Sequence, residues 1–107
     1  LAHPSGRKIN QREGYELDYD KIFDFCKKNN KAIEINAYPD RLDLIDSLVF
    51  EARKLGVKLV INTDSHNTGM MDNMFYGVSV ARRGWCEAKD ILNTRPHDEF
   101  YKWLTTR

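Results

Sequence analysis

Residues 57–66 read Val-Lys-Leu-Val-Ile-Asn-Thr-Asp-Ser-His, and this stretch decides the fold. Its first half, from Val57 to Ile61, is nearly continuous in Val, Leu and Ile, which is typical of a parallel strand that is covered on both faces. The polar residues that follow lie where such a strand would end. We therefore predict a central parallel strand with Asp64 and His66 just beyond its carboxyl end.

Helical and extended patterns alternate around this strand. Apolar residues recur at helical spacing over residues 18–30, 43–55 and 71–82, and Pro96 is suited to be the first residue of a last helix. A short β-rich run over residues 31–37 separates the first two helices. This alternation predicts the α/β class with a parallel sheet.

The chain of 107 residues is long enough for one domain but holds about three strands at most. A complete parallel α/β barrel runs to about 250 residues. We therefore expect residues 1–107 to be one incomplete barrel. The chain begins Leu1-Ala2-His3-Pro4 without a starting Met, and we interpret it as a segment cut from a longer protein.

The composition excludes several classes of protein. Hydrophobic residues make up 41% and charged residues 31%, which does not fit disorder, collagen or coiled coil. A net charge of +1 is not the footprint of a nucleic-acid-binding surface. Three local pairs, at residues 7–8, 27–28 and 82–83, are basic and are either phosphate contacts or solvated surface.

The two cysteines, Cys26 and Cys86, have neither zinc-site nor disulfide-framework spacing. This spacing favours a reducing cytosol, and no apolar run approaches the length of a membrane span, so we expect a cytoplasmic location. Neither cysteine has a neighbouring His or Asp to activate it, so a thiol nucleophile is not expected. The remaining histidine, His97, is expected at the surface.

Asp64 and His66 are the strongest candidates for chemistry. Side chains alternate along an extended backbone, so these two point the same way and are able to hold one metal or two neighbouring metals. Carboxylate and imidazole are ligands for Zn, Mn or Fe, and active sites of parallel α/β folds lie at the carboxyl ends of strands. The alternative is that Asp64 caps the next segment and His66 is an ordinary loop residue.

Three further residues are candidates for supporting roles. His3 would end a strand that begins before residue 1, although a histidine there is uninformative by itself. Arg7 has a planar guanidinium that is able to clamp a phosphate oxygen, or it belongs to a plain surface turn. Asn36, at the end of its strand, is favoured as a hydrogen-bonding residue behind the metal ligands, and Glu34 is left as structural or uncertain.

Six segments in this order resemble one family, the PHP (polymerase and histidinol phosphatase) domain of bacterial and archaeal DNA polymerase X. They are Leu1-Ala2-His3-Pro4-Ser5-Gly6-Arg7, Arg12-Glu13-Gly14-Tyr15-Glu16, Glu34-Ile35-Asn36-Ala37, Pro39-Asp40-Arg41-Leu42-Asp43-Leu44, Ile61-Asn62-Thr63-Asp64-Ser65-His66 and Ala81-Arg82-Arg83-Gly84-Trp85. The resemblance runs from residue 1 to about residue 104 and marks the chain as the C-terminal portion of one such domain.

The resemblance implies a partial, distorted (β/α)7 barrel and a cluster of up to three divalent metals, Mn or Zn. It implies DNA as the partner and a Mn-dependent 3′→5′ exonuclease or DNA-end phosphoesterase activity in DNA repair. His3, Asp64 and His66 match the family's metal ligands, with Asp64 and His66 as the catalytic residues, and Arg7 matches the arginine of its first motif.

The chain also departs from the family pattern, because the H-x-H motif and the other ligands of the N-terminal half are not in it. We therefore expect weak metal binding, little hydrolysis and self-association of the isolated chain. Two alternatives stay open: a PHP phosphatase of small phosphomonoesters such as histidinol phosphate, and a structural barrel module without catalysis.

Overall fold

The computed structural model describes residues 1–106, in which α-helices surround a two-stranded parallel sheet. The helices are α1 (Tyr19–Lys28), α2 (Asp46–Leu55), α3 (Met74–Arg83) and α4 (His97–Thr106), and the strands are β1 (Ala32–Asn36) and β2 (Lys58–Asn62). Short 3-10 turns cover Thr68–Asn73, Ala88–Asp90 and Leu92–Thr94. The predicted α/β class and the order of its elements are confirmed.

The sheet pairs β1 with β2 in parallel, with Asn36 opposite Asn62 at the carboxyl edge. The main chain of Leu1 extends it on the β1 side, because Leu1 N donates to Ala32 O at 2.9 Å and Glu34 N donates to Leu1 O at 3.0 Å. This is the pattern of a parallel ladder. Two strands, rather than about three, form within residues 1–106, because Leu1 supplies only one residue of the predicted first strand.

The other side of β2 is covered by the segment that follows Ile91. Ile91 forms a parallel bridge with Leu59, and the Asn93 side chain bonds both main-chain groups of Ile61. Its Oδ1 accepts from Ile61 N at 3.1 Å and its Nδ2 donates to Ile61 O at 2.6 Å. The amide thus takes the place of a neighbouring strand. Within residues 1–106 the sheet contains only β1 and β2, so the predicted central position of β2 is not observed there.

The hydrophobic core lies between the sheet and the helices. Ile33 and Ile35 of β1 and Leu59 of β2 are fully buried, and Ile61 is nearly so. Burial of side chains of this size stabilises a fold by about 1.5–3 kcal/mol each relative to exposure. Side chains of the helices complete the same cluster: Phe23, Cys26, Val49, Ala52 and Ala81.

The helix ends follow the signals in the sequence. Asp18 caps α1 by accepting from Lys21 N at 3.2 Å, as an N-cap aspartate does. Gly56 ends α2 with a φ of 80°, the left-handed conformation that glycine adopts without a steric penalty. Both ends therefore follow from residues within or next to the helix.

Helix α3 lies against the sheet through its small residues. A Cβ atom on Gly77 would overlap Ile61 Cγ2 and would lie 2.8 Å from Ala37 Cβ. Met71 and Phe75, whose spacing predicts this helix, are exposed instead. The helix is confirmed, but much of its apolar periodicity lies on the outer face.

None of the helices within residues 1–106 has the length and apolar character needed to cross a bilayer.

Candidate functional site

Two left-handed residues follow the carboxyl edge of the sheet. His3 has a φ of 57° and Asp64 a φ of 56°. Few residues other than glycine adopt this region, Asn, Asp and His most readily among them, and such conformations concentrate at functional sites. The backbone therefore turns sharply at two of the three predicted metal ligands.

These turns bring the predicted ligands to one cavity of about 440 Å³. Its lining residues are His3, Lys8, Tyr38, Arg41, Asp64, His66 and Met70. The cavity gathers side chains from the start of the chain, from the loop after β1 and from the loop after β2. The structure thus places His3, Asp64 and His66 around a common space. Asp64 is left-handed and not extended as the sequence predicts, and metal binding by the three residues stays a prediction.

The three side chains do not form a finished metal site. Within residues 1–106, no three His, Cys, Asp or Glu side chains lie close enough together to hold a metal ion. The donors that are present fit part of a divalent-metal site, because imidazole and carboxylate are both ligands for Zn and Mn.

The His66 ring is oriented as it would be in a metal ligand. Its Nδ1 lies 2.7 Å from the main-chain carbonyl oxygen of Asp64. A carbonyl oxygen only accepts, so Nδ1 carries the proton and the lone pair resides on Nε2. Metal-bound histidines characteristically donate their second ring N–H to a carbonyl or carboxylate in this way.

A buried amide holds the Asp64 carboxylate. Asn36 Oδ1 accepts from Tyr38 N at 2.9 Å, which directs Nδ2 toward Asp64 Oδ2 at 3.3 Å and Glu34 Oε2 at 3.4 Å. Asn36 is 1% exposed, so its side chain has a fixed orientation. This geometry agrees with the supporting role predicted for Asn36.

Glu34 belongs to the same polar network. It is 8% exposed, and its Oε1 accepts from Asn62 Nδ2 at 2.9 Å. A buried carboxylate without hydrogen bonds would destabilise the fold, and the two asparagine amides remove that cost. The sequence left the role of Glu34 uncertain. That role is at least structural, because the Glu34 carboxylate lies in the hydrogen-bond network behind Asp64.

Arg7 lies beside the site and contacts main-chain atoms. Its Nε donates to Arg41 O at 2.8 Å and its Nη2 donates to Leu42 O at 2.6 Å. The side chain lines a neighbouring cavity together with Tyr76 and Arg83. Two of its three nitrogens thus hold the loop after β1, and phosphate binding by Arg7 stays a prediction.

Two cations line the site cavity, Lys8 and Arg41. Sequence analysis named Lys8 only as part of a basic pair, and it missed Arg41. Arg41 Nε lies 3.7 Å from Asp64 Oδ2, and its side chain is 14% exposed. Lys8 directly follows the first segment that resembles the family, and Arg41 lies within the fourth. Their position at the cavity depends on long-range contacts that the sequence pattern does not show. The cavity therefore combines metal-type donors with groups that attract anions.

The two cysteines and His97 lie apart from this chemistry. Burial, with Asp90 nearby, raises the pKa of Cys86 to about 11, and burial raises the pKa of Cys26. Both thiols therefore stay protonated near neutral pH, which agrees with the rejection of a thiol nucleophile. His97 is exposed, as predicted, and its ring stacks on Tyr101.

Comparison with known proteins gives one informative match. The chain is 50% identical over 95 residues, 89% of its length, to the protein named DNA polymerase/3′-5′ exonuclease PolX from Bacillus subtilis (strain 168). The chain spans 17% of that relative. No protein-family model matches the chain. This identity shows common ancestry with the matching segment of a PolX protein.

Proposed function

We propose that this chain supplies part of the metal centre of a PHP-type phosphoesterase that hydrolyses DNA from the 3′ end during repair. The observation that carries the proposal is the convergence of His3, Asp64 and His66 on one cavity at the carboxyl edge of the sheet. The relative is named a polymerase and 3′-5′ exonuclease, which supports DNA as the substrate class.

Each residue has a distinct task in this proposal. His66 binds a divalent Mn or Zn ion through Nε2, Asp64 binds through its carboxylate and His3 through its imidazole, while Asn36 keeps Asp64 in place. Such ions supply hydroxide at neutral pH and neutralise the charge of a phosphodiester. Within residues 1–106 the three side chains share a cavity but do not lie close enough together to hold a metal ion. In this proposal, further ligands from outside these residues would complete the cluster of up to three ions.

The cations of the cavity favour an anionic substrate. Lys8 and Arg41 line it, and Arg7 adjoins it. A phosphodiester that reaches Asp64 and His66 therefore enters a space with positive side chains on its walls, where a guanidinium is able to bond two phosphate oxygens.

The isolated chain is also proposed to self-associate and to bind metal weakly. An open apolar groove of about 840 Å³ runs between α1, α4 and the sheet, with Ile22, Phe25, Val60 and Trp103 among its lining residues. Exposed apolar surface of this kind promotes association in water. Sedimentation of a monomer at high concentration would contradict the self-association.

The test is a chimera in which this chain replaces the matching segment of the Bacillus subtilis relative. We expect Mn-dependent 3′→5′ hydrolysis of a labelled oligonucleotide, and we expect His66→Ala to lower the rate by about a hundredfold or more while the fold is kept. His97→Ala is the matched control, since it removes an exposed histidine outside the cavity.

Each other outcome has a defined meaning. Full activity of the His66→Ala chimera contradicts the proposal. Hydrolysis of histidinol phosphate in place of DNA supports the small-phosphomonoester alternative, and a folded chimera that is inactive on both substrates supports the structural module. The thermal unfolding of each chimera establishes that the fold is kept.

A further inference from the structure

Three apolar side chains at the start and on the outer face of α3 are exposed within residues 1–106. Met71 in the preceding turn and Phe75 and Val78 in α3 recur at helical spacing, and we call them the α3 stripe. Met71 is 63% exposed, Phe75 71% and Val78 41%. Large apolar side chains exposed in a row typically mark a binding surface.

The stripe begins at the candidate site. Met70, the residue before Met71, lines the site cavity, and its Sδ accepts from His66 N at 3.4 Å. The turn of Thr68–Asn73 then leads directly into α3, where Phe75 lies in the first turn. The α3 stripe therefore begins one residue after the side chain of Met70, which lines the cavity of Asp64 and His66.

The surroundings of the stripe are aromatic and basic. The Tyr76 ring meets the Phe75 ring edge to face, with centroids 5.8 Å apart. Arg82 is exposed and lies in line with Phe75, seven residues and about 10 Å further along the helix. Tyr76 also lines the neighbouring cavity with Arg7 and Arg83.

We propose that the α3 stripe binds the unpaired nucleotides of a DNA strand whose 3′ end lies in the site cavity. This inference rests on the proposed function. Exposed aromatic rings interleaved with cations are the means by which proteins hold single strands, because every base has a face that stacks on an aromatic ring. Phe75 stacks on a base, and Arg82 contacts the phosphate backbone.

The experiment measures binding of a fluorescein-labelled oligo-dT to the chain by anisotropy, at low salt and with EDTA present to prevent hydrolysis. Stacking of one base on an aromatic side chain contributes about 1–3 kcal/mol, so Phe75→Ala is expected to weaken binding about 5-fold to 150-fold. Phe75→Tyr keeps the affinity, and Phe75→Leu loses most of it, since leucine is apolar without a π-face.

The matched control is Tyr101→Ala, which removes another exposed aromatic ring, on α4 and outside the cavities described above. It is expected to leave the affinity unchanged. The inference is overturned if the unmodified chain does not bind the oligonucleotide. It is also overturned if Phe75→Ala or Phe75→Leu binds the oligonucleotide as tightly as the unmodified chain. A Phe75→Ala substitution that alters the sedimentation of the chain but not its affinity for the oligonucleotide also overturns the inference, because the stripe would then be the contact between two copies.

A second measurement separates this inference from the proposed function. Mn²⁺ broadening of the His66 imidazole resonances is expected to be the same in Phe75→Ala as in the unmodified chain. If Mn²⁺ leaves His66 unaffected while Phe75→Ala still weakens oligonucleotide binding, the metal centre fails and the α3 stripe stands. If the broadening is normal and the affinity does not respond to Phe75, only the stripe fails.

Discussion

The Asp43 carboxylate accepts a hydrogen bond of 2.9 Å from the Ser5 hydroxyl group. The same oxygen, Oδ2, accepts from Ser5 N at 3.1 Å and from Gly6 N at 3.0 Å, and Asp43 is 1% exposed. A carboxylate beneath two loops therefore joins the turn after His3 to the segment that carries Arg41. This contact fixes the relative position of two walls of the candidate site.

Replacement of Asp43 should release this junction. Asp43→Asn removes the charge and turns an N–H group toward buried donors, so the free energy of unfolding should fall by about 2–3 kcal/mol. Ser5→Ala removes only the hydroxyl bond and should lower it by about 1 kcal/mol. Denaturation in urea measures both, and a loss under about 0.5 kcal/mol for Asp43→Asn would show that the junction is unimportant.

The close contact of α3 with the sheet predicts that alanine in place of Gly77 destabilises the protein. Gly77→Ala improves helix propensity by about 1 kcal/mol, but the new methyl group overlaps Ile61 and crowds Ala37. Overpacking of this kind costs about 1–3 kcal/mol, so a net loss of stability near 1 kcal/mol is expected.

Gly69→Ala is the control for this substitution. A Cβ atom on Gly69 would meet only Asn67 Oδ1, at 3.4 Å. Its effect on the free energy of unfolding should stay within about 0.5 kcal/mol, as for other surface changes. A stabilised Gly77→Ala protein would contradict the close packing of α3 on β2.

The ion pair at the start of α2 predicts a dependence of stability on pH. A hydrogen bond of 2.8 Å from Arg83 Nε, with a further bond from Ser47 N, lowers the pKa of Asp46 below its usual 3.8. A lowered pKa in the folded state stabilises it above the unfolded value, and this contribution is lost as the pH falls through the folded pKa.

Asp46→Asn should therefore reduce stability at about pH 7 and have no effect at about pH 2. The pair is solvent-exposed, so the reduction should stay below about 1 kcal/mol and shrink in high salt. Thermal denaturation at the two pH values measures it. An equal loss of stability at both pH values would mean that packing, and not charge, explains the effect of Asp46→Asn.

The sequence predicts the elements because each has a local cause. The apolar run of residues 57–61 specifies a strand, although only one face of it is buried and not both as predicted. Asp18 and Gly56 act as caps through contacts within a few residues. For the same reason, the point at which β2 ends predicts that Asp64 and His66 lie at the carboxyl edge of the sheet. These features need no knowledge of distant neighbours.

The remaining features depend on contacts that sequence spacing does not record. Apolar periodicity predicts α3 but not which face meets the sheet, and the choice is set by the close approach at Gly77. Arg41 enters the cavity because its loop is held by Arg7, 34 residues away, and by the bond of Asp43 to Ser5, which spans 38 residues. The turn pattern around Arg7 gives no indication that its guanidinium bonds main-chain carbonyls.

The central claim is that His3, Asp64 and His66 line one site that binds divalent cations. The direct measurement is the line broadening of the three histidine imidazole resonances of the chain as Mn²⁺ is added in small steps, with His97 as the internal reference. The account predicts that His3 and His66 broaden together well before His97, and that Asp64→Asn removes this preference. Equal broadening of all three rings, or broadening of His66 without His3, would contradict it.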